Sequence, residues 1–161
     1  MAGLRSVVAS PAVVRGARIV AGVLLIWASL AKLGDLGRFA EQVHNFRILP
    51  LAAENLVAMT LPWVELVAGL ALVLAIRDRS AAAVAVALFG VFTLAVLAAV
   101  ARGLDFECGC FGTSDATRVG FGKLGQNVAM LAVAAVALVR PSERTPRATT
   151  AASARSRATA S

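Results

Sequence analysis

Four long apolar segments, separated by short polar stretches, dominate the hydropathy pattern of this chain. They cover residues 19–33, 51–76, 81–101 and 119–139. A helix needs about 20 apolar residues to cross the hydrocarbon core of a bilayer. The third segment meets this length without a charge, and the first reaches it through Arg or Lys side chains that extend to the interface. The pattern predicts an all-α fold, a bundle of four transmembrane helices.

The remaining stretches predict how the chain is organised around this bundle. We expect a basic N-terminal segment over residues 1–16, a four-helix membrane domain over 17–140 and a disordered basic C-terminal tail over 141–161. Residues 34–50 and 102–118 are expected to be polar loops, and residues 77–79 a minimal turn.

Several local features refine this picture. Pro62 removes a backbone donor, so the second helix should kink or restart there, with Thr60 as a cap. The first segment also resembles a signal peptide with a cleavage site at Ser29-Leu30-Ala31, although the later segments would still hold the protein in the membrane. Small residues are expected to permit close helix approach: Ala81, Ala85, Ala87, Gly125 and Ala129.

Composition supports a membrane protein and argues against several other classes. Apolar residues make up 59% of the 161-residue chain, whereas soluble domains contain about 45–50%. The net charge is +7, but the basic residues flank apolar segments instead of forming a stripe among aromatics, which argues against nucleic-acid binding. Two cysteines and one histidine disfavour a multi-disulfide scaffold or a zinc site built by this chain alone.

Basic residues are divided unevenly between the two sides that four spans create. The side of both termini carries ten Arg and Lys residues, five of them from Arg140 onwards, and the opposite side carries six. Because cytoplasmic loops carry the positive excess, we expect a multi-pass protein of the bacterial plasma membrane with both termini in the cytoplasm. The loop that contains both cysteines then lies outside, where disulfides persist.

Cys108-Gly109-Cys110 is the sharpest chemical feature of the sequence. The single Gly permits the backbone angles that a tight ring between such close cysteines requires. A strained disulfide is more easily reduced, which favours exchange with Cys108 and Cys110 as catalytic residues. A loop staple, two buried free thiols and a metal site are the alternatives. Acidic neighbours in the sequence oppose thiolate formation: Asp105, Glu107 and Asp115.

Glu65 is the second candidate, because an ionisable side chain well inside an apolar segment is costly and is commonly functional. Asn127, with Gln126 beside it, enters the membrane from the same face and reaches a similar depth, which allows a hydrogen bond to Glu65 beneath the cysteine loop. With Trp63, these residues form a candidate polar pocket. A structural clamp between helices is the alternative. His44 is expected to be a solvated loop residue.

Short motifs give the chain a family resemblance. In order, they are Ala31-Lys32-Leu33, Leu49-Pro50, Leu61-Pro62-Trp63-Val64-Glu65-Leu66 and Cys108-Gly109-Cys110-Phe111-Gly112. With these motifs, residues 18–139 resemble the MauE branch of the DoxX-like membrane proteins. The resemblance implies four-helix proteins associated with redox or disulfide chemistry of exported proteins. It also implies a link to methylamine utilisation, through maturation of the disulfide-rich small subunit of methylamine dehydrogenase.

Two functions follow from these residues and the resemblance. In the first, Cys108 and Cys110 cycle between dithiol and disulfide and exchange with an exported cysteine-containing client or a thioredoxin-like protein. Electrons then pass to or from a membrane carrier such as a quinone near Glu65. In the second, the chain is a non-catalytic assembly factor with a structural Cys108–Cys110 disulfide. Sparse internal charge and the lack of an evident repeat disfavour a small-solute transporter.

Overall fold

The computed structural model describes residues 7–104, 106 and 119–140. Within these residues the chain forms helices and no strand. The helices are α1 (Pro11–Gly34), α2 (Leu36–Asn45), α3 (Leu51–Val73), α4 (Asp78–Ala101) and α5 (Phe121–Leu138). All but α2 are long and apolar enough to cross a membrane, which confirms the predicted four-helix membrane bundle. The predictions for Cys108, Cys110 and the C-terminal tail fall outside the described residues.

Helix α1 begins earlier than its apolar segment suggests. Ser10 caps the helix by accepting a hydrogen bond from the backbone nitrogen of Val13 at 3.4 Å, and Pro11 occupies the first turn, where its missing N–H costs nothing. Arg18 therefore lies inside the helix, and its Nε donates to the carbonyl of Ala137 at 3.0 Å. This bond ties the beginning of α1 to the end of α5, at the same end of the bundle.

Helices α1 and α3 approach each other closely at Gly22 and Gly69. A Cβ atom on Gly22 would lie 2.8 Å from the carbonyl oxygen of Gly69, and one on Gly69 would lie 2.7 Å from the carbonyl oxygen of Gly22. Only glycine at both positions allows this contact. It sets the spacing of the two helices that carry the buried charges described below.

The Gly22–Gly69 contact should contribute to the stability of the folded protein. Gly69→Ala should lower the thermal unfolding midpoint in detergent, because the added methyl group pushes two backbones apart, at a cost of about 1–3 kcal/mol. Gly90→Ala is the matched control, since a Cβ there meets nothing within 4 Å. Equal midpoints for the two variants would show that the close contact is not maintained in the folded protein.

The predicted packing of small residues is correct for only part of the set. Ala81 and Ala85 are buried in the core beside Ala134 of α5. The other three residues of the set are exposed on the outside of the bundle: Ala87, Gly125 and Ala129. The sequence contains many small residues and does not indicate which helical face meets a neighbour.

Of the two outcomes predicted at Pro62, a kink or a restart of the second helix, the restart is wrong. Helix α3 runs without a break from Leu51 to Val73, with Pro62 buried inside it. Thr60 does not cap a new helix, because its hydroxyl donates to the carbonyl of Leu56 at 2.7 Å. Membrane helices tolerate such a proline because side-chain hydrogen bonds and neighbouring helices stabilise the interrupted backbone.

The expected polar loop over residues 34–50 contains an amphipathic helix. Asp35 caps α2 by accepting from the backbone nitrogen of Arg38 at 3.0 Å. Phe39 and Gln42 point inward and are buried, and the partly buried Phe46 follows one turn later. Apolar residues at helical spacing are the signal of such a helix, but the many charges between them favour a loop. The helix covers one end of the bundle.

Candidate functional site

A buried ion pair joins α1 to α3. Lys32 lies in the last turn of α1, and Glu65 lies well inside α3. The ammonium Nζ of Lys32 donates to both carboxylate oxygens of Glu65, at 2.7 and 2.8 Å. Both side chains have no exposed surface. The pair therefore holds two opposite charges in the interior of the membrane domain.

Two aromatic rings also lie close to the ammonium group of Lys32. Its Nζ lies 5.4 Å from the centre of the Phe39 ring and 5.0 Å from that of Phe92. These distances suit cation–π attraction, which is strongest where water is excluded. Phe39 comes from α2 and Phe92 from α4, so Lys32 contacts groups from three other helices. The negative charge of Glu65 and the faces of the two aromatic rings together offset the cost of placing the Lys32 ammonium group in an apolar medium.

The polar pocket predicted around Glu65 does not form as expected. Asn127 is fully buried, but neither atom of its amide has a hydrogen-bond partner among the described residues. Gln126 is exposed on the outer face of α5, and Trp63 is 56% exposed. Lys32, instead of Asn127 or Gln126, bonds to the Glu65 carboxylate. The place of Lys32 in the sequence, near the end of the first apolar segment, favours the membrane interface and gives no sign of this pairing.

His44 is a link between helices as well as a surface residue. Its side chain is 59% exposed, as expected for a solvated residue, but its Nδ1 lies 2.9 Å from Oε2 of Glu54 at the start of α3. Glu54 is itself 5% exposed. The contact fixes α2 against α3, a role that residue type alone does not indicate.

The end of α2 also lies beside both ends of the cysteine-containing loop. The Phe46 and Phe106 rings pack edge to face, with centres 4.7 Å apart. The backbone nitrogen of Val119 donates to the carbonyl of Phe106 at 2.9 Å, which brings together the two ends of the loop. The guanidinium group of Arg102 donates to the backbone carbonyls of Phe46 and Arg47. The loop thus begins and ends at the α2 end of the bundle.

A comparison with known proteins places the chain among its relatives. The family model described as "Methylamine utilisation protein MauE" matches residues 10–140. No solved structure matches the chain.

Curated relatives agree with the family match. The methylamine utilization protein MauE of Paracoccus denitrificans is 39% identical over 102 residues, which are 63% of this chain and 55% of that protein. The MauE proteins of Paracoccus versutus and Methylorubrum extorquens are each 34% identical, over 81% and 84% of this chain and 71% and 73% of their own lengths. The chain thus spans little more than half of the first relative and nearly three quarters of the other two. It is a multi-pass membrane protein that belongs to the MauE family.

Proposed function

We propose that this chain supports thiol–disulfide exchange during maturation of an exported protein, in methylamine or amine metabolism. Membership of the MauE family supports the metabolic setting, since its relatives are named for methylamine utilisation. The observation that carries the chemical part is the contact between the described residues on either side of the two cysteines. Phe106 and Val119, which flank the segment of Cys108 and Cys110 in the sequence, are joined by a hydrogen bond at the α2 end of the bundle.

The proposed chemistry uses Cys108 and Cys110 as a two-electron couple. In the reducing direction, a thiolate attacks a disulfide of the client, and the second thiol resolves the mixed disulfide. The client gains two electrons and two protons as two thiols, and Cys108 and Cys110 form a disulfide. The reverse sequence oxidises a client dithiol. The partner is an exported cysteine-containing protein or a thioredoxin-like protein, and a membrane carrier exchanges the electrons.

The alternative is an assembly factor in which the cysteines form a permanent staple, and a redox titration separates the two functions. Purified protein is equilibrated in buffers of defined potential, and free thiols are counted by gel shift. We expect a reversible couple between about −270 and −120 mV, the range of exchange proteins. A pair that stays oxidised below about −300 mV would behave as a structural disulfide and would support the assembly factor. A double Cys108→Ser/Cys110→Ser variant gives the background signal of the gel-shift assay.

The proposed orientation places the cysteine loop outside the cell and both termini in the cytoplasm of a bacterial plasma membrane. The bond between Arg18 and Ala137 agrees with both termini lying on one side, and the excess of basic residues on that side favours the cytoplasm. The loop then reaches exported clients directly.

Cysteine labelling tests this orientation, because Cys108 and Cys110 are the two cysteines of the chain. After mild reduction, a membrane-impermeant maleimide applied to intact cells should label the protein to the same extent as in opened cells. Labelling that appears only after the cytoplasm is opened would reverse the orientation. A cytoplasmic cysteine protein, unlabelled until lysis, serves as the control for membrane integrity.

A further inference from the structure

A cavity of about 170 Å³ lies between α2, α3 and α4. Its walls are almost wholly apolar and include the aromatic rings of Phe39, Phe46 and Phe92, with Leu61 from α3. Among the described residues of its lining, the amide side chain is that of Gln42, which is 4% exposed. Neither the nitrogen nor the oxygen of this amide has a hydrogen-bond partner among the described residues. A buried amide without a partner is costly, so the cavity has a polar group that a ligand can satisfy.

The cavity continues into an apolar seam between α3 and α4. A neighbouring hollow of about 220 Å³ shares Leu61, Val91 and Phe92 with the Gln42 cavity. A third hollow, of about 480 Å³, shares Val84 with the second and reaches Ser80. From Ser80 to the level of Ala95 the seam extends roughly 22 Å along α4, at 1.5 Å per residue. A long hydrocarbon chain fits such a path.

We propose that the Gln42 cavity binds the ring of an isoprenoid quinone, with the isoprenoid chain along the α3–α4 seam. A cavity of about 150 Å³ lined by apolar side chains accommodates one benzene ring, so the Gln42 cavity has room for a single ring. The amide nitrogen of Gln42 can donate to a quinone carbonyl, and its oxygen can accept from a quinol hydroxyl. The three phenylalanine rings provide apolar walls against which a planar ring packs.

A phospholipid fits these features less well. Its phosphate needs a cation, and the described residues that line the Gln42 cavity include none. The cation along the seam is Arg77, which lines the hollow at the opposite end. A phospholipid anchored there would leave Gln42 without a partner. The quinone ring gives the buried Gln42 amide a hydrogen-bond partner, and the isoprenoid chain occupies the apolar seam.

This proposal moves the electron carrier away from the Glu65 carboxylate, both of whose oxygens bond to Lys32. Phe39 and Phe92 line the cavity and also face the ammonium group of Lys32, so the ion pair lies behind one wall of the quinone site. The role of a bound quinone as electron carrier rests on the proposed function. Binding itself does not, because it requires neither cysteine.

Photolabelling of the full-length protein in lipid nanodiscs tests the proposal. A short-chain quinone with a photoreactive azide on its ring should crosslink to peptides covering residues 39–49 and 91–95, and unlabelled quinone should compete. Gln42→Leu should weaken the apparent affinity about fivefold, the value of one hydrogen bond. The thermal midpoint of the variant should equal or exceed that of wild type, since it removes an unpartnered buried amide. Gln126→Leu, on the exposed face of α5, should bind as wild type.

Three results would overturn the proposal. Labelling spread evenly over lipid-facing peptides, or unchanged by Gln42→Leu, would show non-specific partitioning. Competition by phosphatidylglycerol, lost in Arg77→Gln, would identify a lipid site. Crosslinks between two copies of the chain along α3 and α4 would assign the seam to a dimer. The Cys108→Ser/Cys110→Ser variant should bind the quinone as wild type does, so failure of the cysteine chemistry and failure of the quinone site give different results.

Discussion

Replacement of either Cys108 or Cys110 by serine should abolish client maturation while leaving the protein in the membrane. A disulfide between residues separated by one Gly closes a loop too short to remove much chain entropy from the unfolded state, so it adds little stability. In the proposed function, the value of this disulfide lies in its exchange chemistry. Each single variant keeps one thiol that can attack a client disulfide but lacks the second thiol that resolves the product. Mixed disulfides should accumulate and appear on a non-reducing gel.

The control for this experiment is Ser114→Ala, which changes the same loop without removing a thiol. It should support normal client maturation and trap no mixed disulfide. Membrane levels of all variants are compared by immunoblot, so that loss of the protein is not mistaken for loss of activity. If the double serine variant matures the client at the wild-type rate, the redox function is wrong and the assembly factor replaces it.

Loss of one member of the Lys32–Glu65 pair should destabilise the protein more than Gly69→Ala does. Lys32→Met leaves the Glu65 carboxylate buried without its counter-charge, and Glu65→Leu removes the carboxylate that accepts from the Lys32 ammonium group. Removing one partner of a buried ion pair costs about 3–5 kcal/mol. Replacing both, as in Lys32→Met/Glu65→Leu, removes the unpaired charge and should recover most of the loss.

A double-mutant cycle measures this coupling through unfolding of the purified variants in detergent. Arg79→Met is a suitable control, because Arg79 is exposed at the beginning of α4 and its loss should have little effect. Strictly additive losses in the double variant would mean that the two charges do not stabilise each other in the folded protein.

The same double variant separates a structural from a functional role of the buried charges. If Lys32→Met/Glu65→Leu folds and still supports client maturation, the pair is a clamp between α1 and α3. If it folds but does not support maturation, a charge at this depth is needed for function. Glu65→Gln gives a further comparison, because the amide can still accept a hydrogen bond from Lys32 but carries no charge. We expect Glu65→Gln to impair maturation.

The amphipathic helix α2 shows where reading the sequence segment by segment fails. Phe39 and Gln42 are spaced for one helical face, but the surrounding charges resemble those of an exposed loop. This face of α2 is buried only when α3 and α4 pack against it. The Gln42 cavity and the His44–Glu54 contact both depend on that docking, and neither residue gives a signal of its role in the sequence.

The four membrane spans were determined by the sequence itself, because crossing a bilayer requires about 20 apolar residues in a row and that length is a local property. The family motifs, including Cys108-Gly109-Cys110, were equally visible in the chain. Tertiary structure alone decided which polar residues meet. Lys32 and Glu65 are 33 positions apart, and the Gly22–Gly69 contact and the rotation of α1 and α3 bring them together. The rotation of a helix about its axis depends on packing against its neighbours. The ammonium group of a Lys near a helix end can lie either at the membrane interface or in the interior beside a buried acidic partner. The energy of the assembled bundle selects the second.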